Sequence, residues 1–262
     1  MSELLHLIKE GGGSNQLICF PYLGGYSNSF IELANELKLD DGTEILAINP
    51  PGHGPDTQTP FDDINKMLDV YCAEIQKKIK QNCTFFGYSM GGIIAYFTAQ
   101  RLLRQGNNCC ASLSLIISSS NTPQEYGGKK YSSMSDDELL EQMISYGGFP
   151  EDILREKELL TCFLPVFRAD FRVMETASEL EYEKLDIPIY IFLGDNDKSV
   201  PFNSLIQWNR YFKRDMSICL IKCGSHMMIH EQVSSVARMI ERILGLNSNF
   251  RFRSRLASSK TA

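Results

Sequence analysis

Six short apolar runs punctuate the chain, at residues 17–20, 45–48, 84–86, 113–117, 189–193 and 218–221. Each is apolar at successive positions, so both faces of an extended segment would be buried, as in the strands of a parallel sheet. Between the runs the apolar positions take helical spacing. Over residues 62–80 they are Ile64, Met67, Leu68, Tyr71, Ile75 and Ile79, one stripe of an amphipathic helix, with Asp62 placed to cap its start. Residues 93–103 predict a second helix. Residues 202–212 predict a third, after Pro201, and Val233, Val236, Ala237, Ile240 and Leu244 mark a last one. Strands alternating with helices predict an α/β fold: a mostly parallel sheet with helices on both faces and right-handed crossovers.

One stretch breaks the alternation. Residues 121–185 hold no good strand but several helical patches, among them 136–146 and 151–163. That is too long for a plain crossover and predicts an inserted helical lid. The expected organisation is one α/β domain over 1–245 with this lid, followed by a basic, flexible tail over 246–262.

The 262 residues suffice for a core without staples, and 43% hydrophobic with 22% charged residues is ordinary for a globular chain. The tail carries Arg251, Arg253, Arg255 and Lys260 and no acid; it contributes +4 to a net charge of −6, so the remainder stands at −10. That balance argues against nucleic acid or an anionic membrane as partner. No apolar run is long enough to span a bilayer, and no secretory leader is expected from the first residues. The eight cysteines show no metal-binding spacing. They are read as reduced thiols of a cytoplasmic protein, with no metal or other cofactor expected.

The chemistry enters at Gly87-Tyr88-Ser89-Met90-Gly91-Gly92, between the run 84–86 and the helix that follows. A G-x-S-x-G at a strand-to-helix turn raises the serine hydroxyl above the sheet edge, where flanking glycines leave room and the new helix offers free N–H groups. Ser89 is therefore the candidate nucleophile. It needs a base. Of the four histidines, His6 precedes the first predicted strand and is expected at the surface, and His53 sits in a Pro-Gly loop. His226 follows the last predicted strand and is preferred over His230, which is expected to begin the final helix. The acid should lie after the preceding strand, where Asp195 and Asp197 both stand; Asp197, further beyond the sheet edge, is preferred. The backbone N–H groups of Met90 and of Leu23, in Phe20-Pro21-Tyr22-Leu23-Gly24-Gly25, are the candidate oxyanion donors.

Together these residues resemble the type II thioesterases of non-ribosomal peptide and polyketide synthesis, with the medium-chain thioesterases of fatty acid synthesis as relatives. The resemblance runs over roughly residues 17–244. It rests on Phe20-Pro21-Tyr22-Leu23-Gly24-Gly25, Pro51-Gly52-His53-Gly54, the Ser89 turn, Leu164-Pro165-Val166-Phe167-Arg168-Ala169-Asp170, the loops around Asp197 and His226, and Trp208, the only tryptophan. His53 stands where the family usually has Arg, and Tyr88 where it usually has His. The resemblance implies an α/β-hydrolase fold and hydrolysis of acyl or aminoacyl thioesters held on the phosphopantetheine arm of a carrier protein, by a monomer. Tyr88, Phe167 and Arg168 are expected at the substrate entrance and lid, with His53 lining the entrance beside Tyr88, Arg168 and Asp170 as an internal ion pair, and Lys129-Lys130 as a carrier-docking patch. A medium-chain fatty acyl thioesterase, a general carboxylesterase on the same fold, and a non-catalytic binding module are the competing readings.

Overall fold

The computed structural model describes residues 3–39, 42–106, 110–147 and 160–258, with side chains to residue 245. All six apolar runs form strands: β2 (Asn15–Phe20), β3 (Thr43–Ile48), β4 (Asn82–Tyr88), β5 (Ser112–Ser118), β6 (Ile189–Gly194) and β7 (Ser217–Ile221). A further strand, β1 (Leu5–Lys9), precedes them and contains His6. It pairs antiparallel to β3 at the sheet edge. Its pattern is a weak signal, because Leu5 is buried while Leu7 is half exposed. His6 is not free at the surface: its Nδ1 lies 2.8 Å from Ser27 Oγ.

The strand order is β1-β3-β2-β4-β5-β6-β7, and every pair from β3 to β7 is parallel. From β2 the chain goes outward to β3, then returns to β4 on the other side of β2. That reversal opens a crevice at the carboxyl ends of β2 and β4, the usual ligand position of an open α/β sheet.

The described helices are α1 (Ile31–Glu36), α2 (Ile64–Lys78), α3 (Met90–Arg104), α4 (Asp136–Tyr146), α5 (Leu164–Ala177), α6 (Phe202–Gln207), α7 (Met228–Glu231) and α8 (Val233–Ser258). Successive strand residues feed opposite layers, which is why the runs are apolar throughout. Phe85, Leu115, Ile117 and Ile191 pack with α2 and α3. Phe86, Ile116 and Phe192 pack with α1 and α8 on the other face.

Three local expectations change. Asp63, not Asp62, caps α2, its side chain accepting the Lys66 N–H at 2.9 Å. The single helix expected over 202–212 divides into α6 and a tight turn, Trp208–Tyr211. Burial of Trp208 and Tyr211 drives that turn inward, and Trp208 Nε1–H donates to Ser120 O at 3.0 Å. His230 lies in the short α7 rather than at the start of α8. The α8 backbone continues into the basic segment as far as Ser258.

Between β5 and β6 the described residues form no strand. α4 and α5 stand there, in the segment expected to form the lid, α4 opened by a reciprocal cap between Ser135 and Glu138. Most of the expected patch 151–163 lies outside the described residues. Among the described residues no helix is long and apolar enough to cross a membrane.

Because Asp63 satisfies an otherwise orphan donor of α2, Asp63→Ala should cost about 1 kcal/mol of stability, and Asp62→Ala close to nothing. Urea unfolding of the two variants beside the parent checks this.

Candidate active site

β4 ends at Tyr88, and α3 begins at Met90. Ser89 bridges them at φ 51° and ψ −119°, a left-handed conformation that costs an L-residue energy and is held by its surroundings. Ser89 N–H donates to Ser118 O at 2.8 Å, and its own carbonyl accepts the Gly92 N–H at 2.9 Å. The glycines on either side are required by crowding. A Cβ on Gly91 would lie 2.1 Å from Phe20 O, and one on Gly87 2.3 Å from Gly91 O.

His226 Nε2 lies 3.1 Å from Ser89 Oγ. On the other side of the ring, Nδ1 lies 3.0 Å from Asp197 Oδ2. An ionised carboxylate only accepts, so Nδ1 carries the proton and Nε2 is left to accept from the serine hydroxyl. The Asp197 side chain is fully buried. Its Oδ1 accepts from the Ser199 and Val200 N–H groups at 2.9 and 3.2 Å, which fixes its direction. Asp195 is exposed. The two loops are zipped together: Asp195 N–H donates to Ile221 O and Asn196 N–H to Gly224 O. A Cβ on Gly194 would lie 2.1 Å from Gly224 O.

His230 is engaged elsewhere. Its Nε2 lies 2.9 Å from Tyr22 Oη, so it braces the loop after β2. Among the described residues, the N–H groups of Leu23 and Met90 have no hydrogen-bond partner. Gly24 N–H, next in line, donates to Asp170 Oδ2 at 2.7 Å. Two free donors near the serine can receive the charge of a tetrahedral oxyanion.

A cavity of about 210 Å³ opens at Ser89 and His226. Phe163, Phe167, Met143, Tyr146 and Met174 of the lid form its apolar wall, and among the described residues no Asp, Glu, Lys or Arg lines it. Phe167 lies against Gly24: a Cβ there, at φ +73°, would fall 2.4 Å from its ring.

Two expected entrance residues are not at the cavity wall. Tyr88 is fully buried beneath the histidine loop. Its hydroxyl donates to His226 O at 2.8 Å and accepts the Ile229 N–H at 3.2 Å. Burial pushes that hydroxyl well above its ordinary range, so it stays a neutral donor. Arg168 turns outward, donating to Asp136 Oδ1 at 2.5 Å and Ser132 O at 2.9 Å. The expected Arg168–Asp170 pair therefore does not form: two residues apart on a helix, their side chains leave on different sides. Asp170 instead pairs with His53, which is buried rather than at the entrance. The sequence reading missed these partners of Asp170 and the bracing of Tyr22 by His230. Each joins residues more than a hundred positions apart.

Over residues 15–244 the chain matches the family model described as Thioesterase domain. It is 30% identical over 218 residues to the gramicidin S biosynthesis protein GrsT of Aneurinibacillus migulanus, spanning 82% of this chain and 83% of that one. It is also 30% identical over 200 residues to the human medium-chain S-acyl fatty acid synthase thioesterase, spanning 73% of each. Among solved structures, the type II thioesterase BorB of the borrelidin cluster superposes with a TM-score of 0.79 at 24% identity, covering 92% of this chain and 97% of that one. YbtT, a type II thioesterase of the yersiniabactin pathway, gives 0.77 at 22%, covering 91% and 97%. These last two likenesses speak to the fold, which is that of the α/β hydrolases.

Tyr88→Phe removes one hydroxyl and strands two buried backbone groups. It should cost about 1–3 kcal/mol of stability and lower turnover by loosening the loop that carries His226. Denaturant unfolding and steady-state kinetics read the two effects separately; an unchanged stability would refute the bracing role.

Proposed function

The chain belongs to the thioesterase family, and from that premise we propose that it hydrolyses acyl or aminoacyl thioesters from the phosphopantetheine arm of carrier proteins. Its setting is editing or product release in non-ribosomal peptide or polyketide synthesis. The observation that carries the reading is the line Ser89–His226–Asp197 opening into a largely apolar cavity walled by Met143, Tyr146, Phe163, Phe167 and Met174. The relatives named above, one from gramicidin S biosynthesis, supply the pathway context.

In this reading Ser89 Oγ attacks the thioester carbonyl carbon while its proton passes to His226 Nε2. The carbonyl oxygen becomes an oxyanion, received by the Leu23 and Met90 N–H groups. Collapse of that intermediate breaks the carbon–sulfur bond, and the leaving sulfur takes the proton from His226. A thiol with a pKa of about 8.5 needs less assistance than an alkoxide or amine would. Water, deprotonated by the same histidine, then attacks the acyl-serine, and a second tetrahedral intermediate releases the free acid and Ser89. Asp197 holds the imidazole tautomer and stabilises the imidazolium.

The described cavity wall favours acyl groups without charge, because an ionised group entering it would lose its hydration with no ionised partner among the described lining residues. Carrier docking on an acidic protein calls for a local basic or apolar patch, and Lys129 and Lys130 lie exposed on the lid.

The test is mass spectrometry of carriers loaded with varied acyl groups, incubated with the protein. Loss of the acyl mass by the parent, and its retention with a folded Ser89→Ala variant, is the expected result. A strong preference for simple oxoesters over carrier thioesters would favour a general esterase. Failure of a fluorophosphonate to label Ser89 would favour a binding module.

A further inference from the structure

The contact between His53 and Asp170 plays no part in the steps above. Both side chains are only 2% exposed. His53 Nε2 lies 3.1 Å from Asp170 Oδ2. His53 Nδ1 lies 3.0 Å from Pro51 O. A backbone carbonyl can only accept a hydrogen bond, and so can an ionised carboxylate. A neutral imidazole has one N–H and one bare nitrogen, so one of the two contacts would set lone pair against lone pair. The doubly protonated ring satisfies both.

The carboxylate oxygen that meets His53 also accepts the Gly24 N–H at 2.7 Å. Gly24 directly follows Leu23, the candidate oxyanion donor. One chain of contacts thus runs from the Pro51 carbonyl through His53 and the lid helix α5 to the loop after β2. A void of only about 10 Å³ lies behind it, bounded by Tyr22, Tyr71, Met90, His53 and Asp170. That is at the lower limit for a single water, so bulk solvent does not screen the pair.

We propose that His53 is a buried imidazolium acting as a positioning residue: its charge holds Asp170 against the Gly24 N–H, and the Leu23 N–H stays aimed at the oxyanion only while His53 keeps its second proton. This rests on the oxyanion role given to Leu23 above.

The titratable groups facing His53 are Asp56 on its own loop, Asp170 on α5, Tyr71 on α2 and Tyr22 on the loop after β2. Burial of the ring opposes the charge. The charge and hydrogen bond of Asp170, the Pro51 carbonyl and the charge of Asp56 outweigh it, and the ring's affinity for its proton rises above the ordinary 6.5. The Tyr71 hydroxyl, pushed up by burial and then by Asp170, stays neutral. A group whose affinity is raised on folding stabilises the fold fully below its unfolded pKa, and that contribution is lost as pH rises through the higher folded value. Turnover that depends on the same proton falls over the same alkaline window.

The test compares the parent with His53→Arg and His53→Gln. Arginine supplies a cation that does not titrate; glutamine keeps a donor but no charge. At pH 6.5, where about half of a free imidazole is neutral, ¹⁵N NMR of the parent should show one histidine protonated on both nitrogens. That signal should vanish in His53→Gln. On a carrier thioester, kcat of the parent should fall on the alkaline side, and His53→Arg should lose that fall. His53→Gln should lower kcat about 10–100-fold at every pH with little change in KM, as expected for a misplaced oxyanion donor. A singly protonated His53 at pH 6.5, or a His53→Gln variant with parental kcat, overturns the inference. So does an alkaline limb retained by folded His53→Arg, with folding checked by thermal melting. The NMR arm needs no substrate, so a parent inactive on carrier thioesters refutes the functional reading, and the positioning role with it, while the protonation of His53 is decided separately by the spectrum.

Discussion

Backbone presses on backbone at the carboxyl edge of the sheet, and the geometry of the site depends on that crowding. A Cβ on Gly91 would strike the carbonyl of Phe20, one on Gly87 the carbonyl of Gly91, and one on Gly194 the carbonyl of Gly224. Only residues without side chains permit these approaches. The first seats the start of α3 against the end of β2 and the second folds it onto the end of β4, which leaves the Met90 and Leu23 N–H groups on either side of one crevice. The third lays the Asp197 loop against the His226 loop. The strand-order reversal between β2 and β4 places these crossings at one crevice.

The helices between β5 and β6 touch the loop after β2 as well as the cavity. Phe167, Asp170, Phe171 and Met174 recur at helical spacing on the buried side of α5. Phe167 lies on Gly24, and Asp170 holds the Gly24 N–H. Arg168, on the opposite side, ties α5 to Ser132 and to Asp136 at the start of α4. One helix therefore joins the cavity wall to the backbone of the loop after β2. Among the described residues, charge sits behind the loop after β2, where His53 and the Gly24 N–H meet the Asp170 carboxylate, and not on the cavity wall.

Much of this was legible in the chain itself. Six strands were readable because each is apolar on both faces, and Ser89 because its turn needs glycines two residues to either side. His226 and Asp197 were readable from their places after the last two strands. β1 was not, because an edge strand with one fully buried residue leaves almost no periodic signal. The cap of α2 was misplaced by one residue, since Asp62 and Asp63 are chemically identical and only backbone direction separates them. The break after α6 escaped because Trp208 and Tyr211 also fit a helical stripe; their burial against Ser120 and Tyr96 decides otherwise.

The sequence by itself determined the elements and the candidate site residues, because hydrophobic period, glycine placement and residue type are local properties. It did not determine the partners of the lid and loop side chains. Arg168 and Asp170 were expected to pair with each other, and Tyr88 and His53 to face the entrance. Tertiary structure turned Asp170 to His53 and Gly24, Arg168 to Asp136, and Tyr88 to the back of the histidine loop. The physical reason is that a buried polar group must find its complement wherever packing brings one, and which groups meet is settled by the crossing of distant elements.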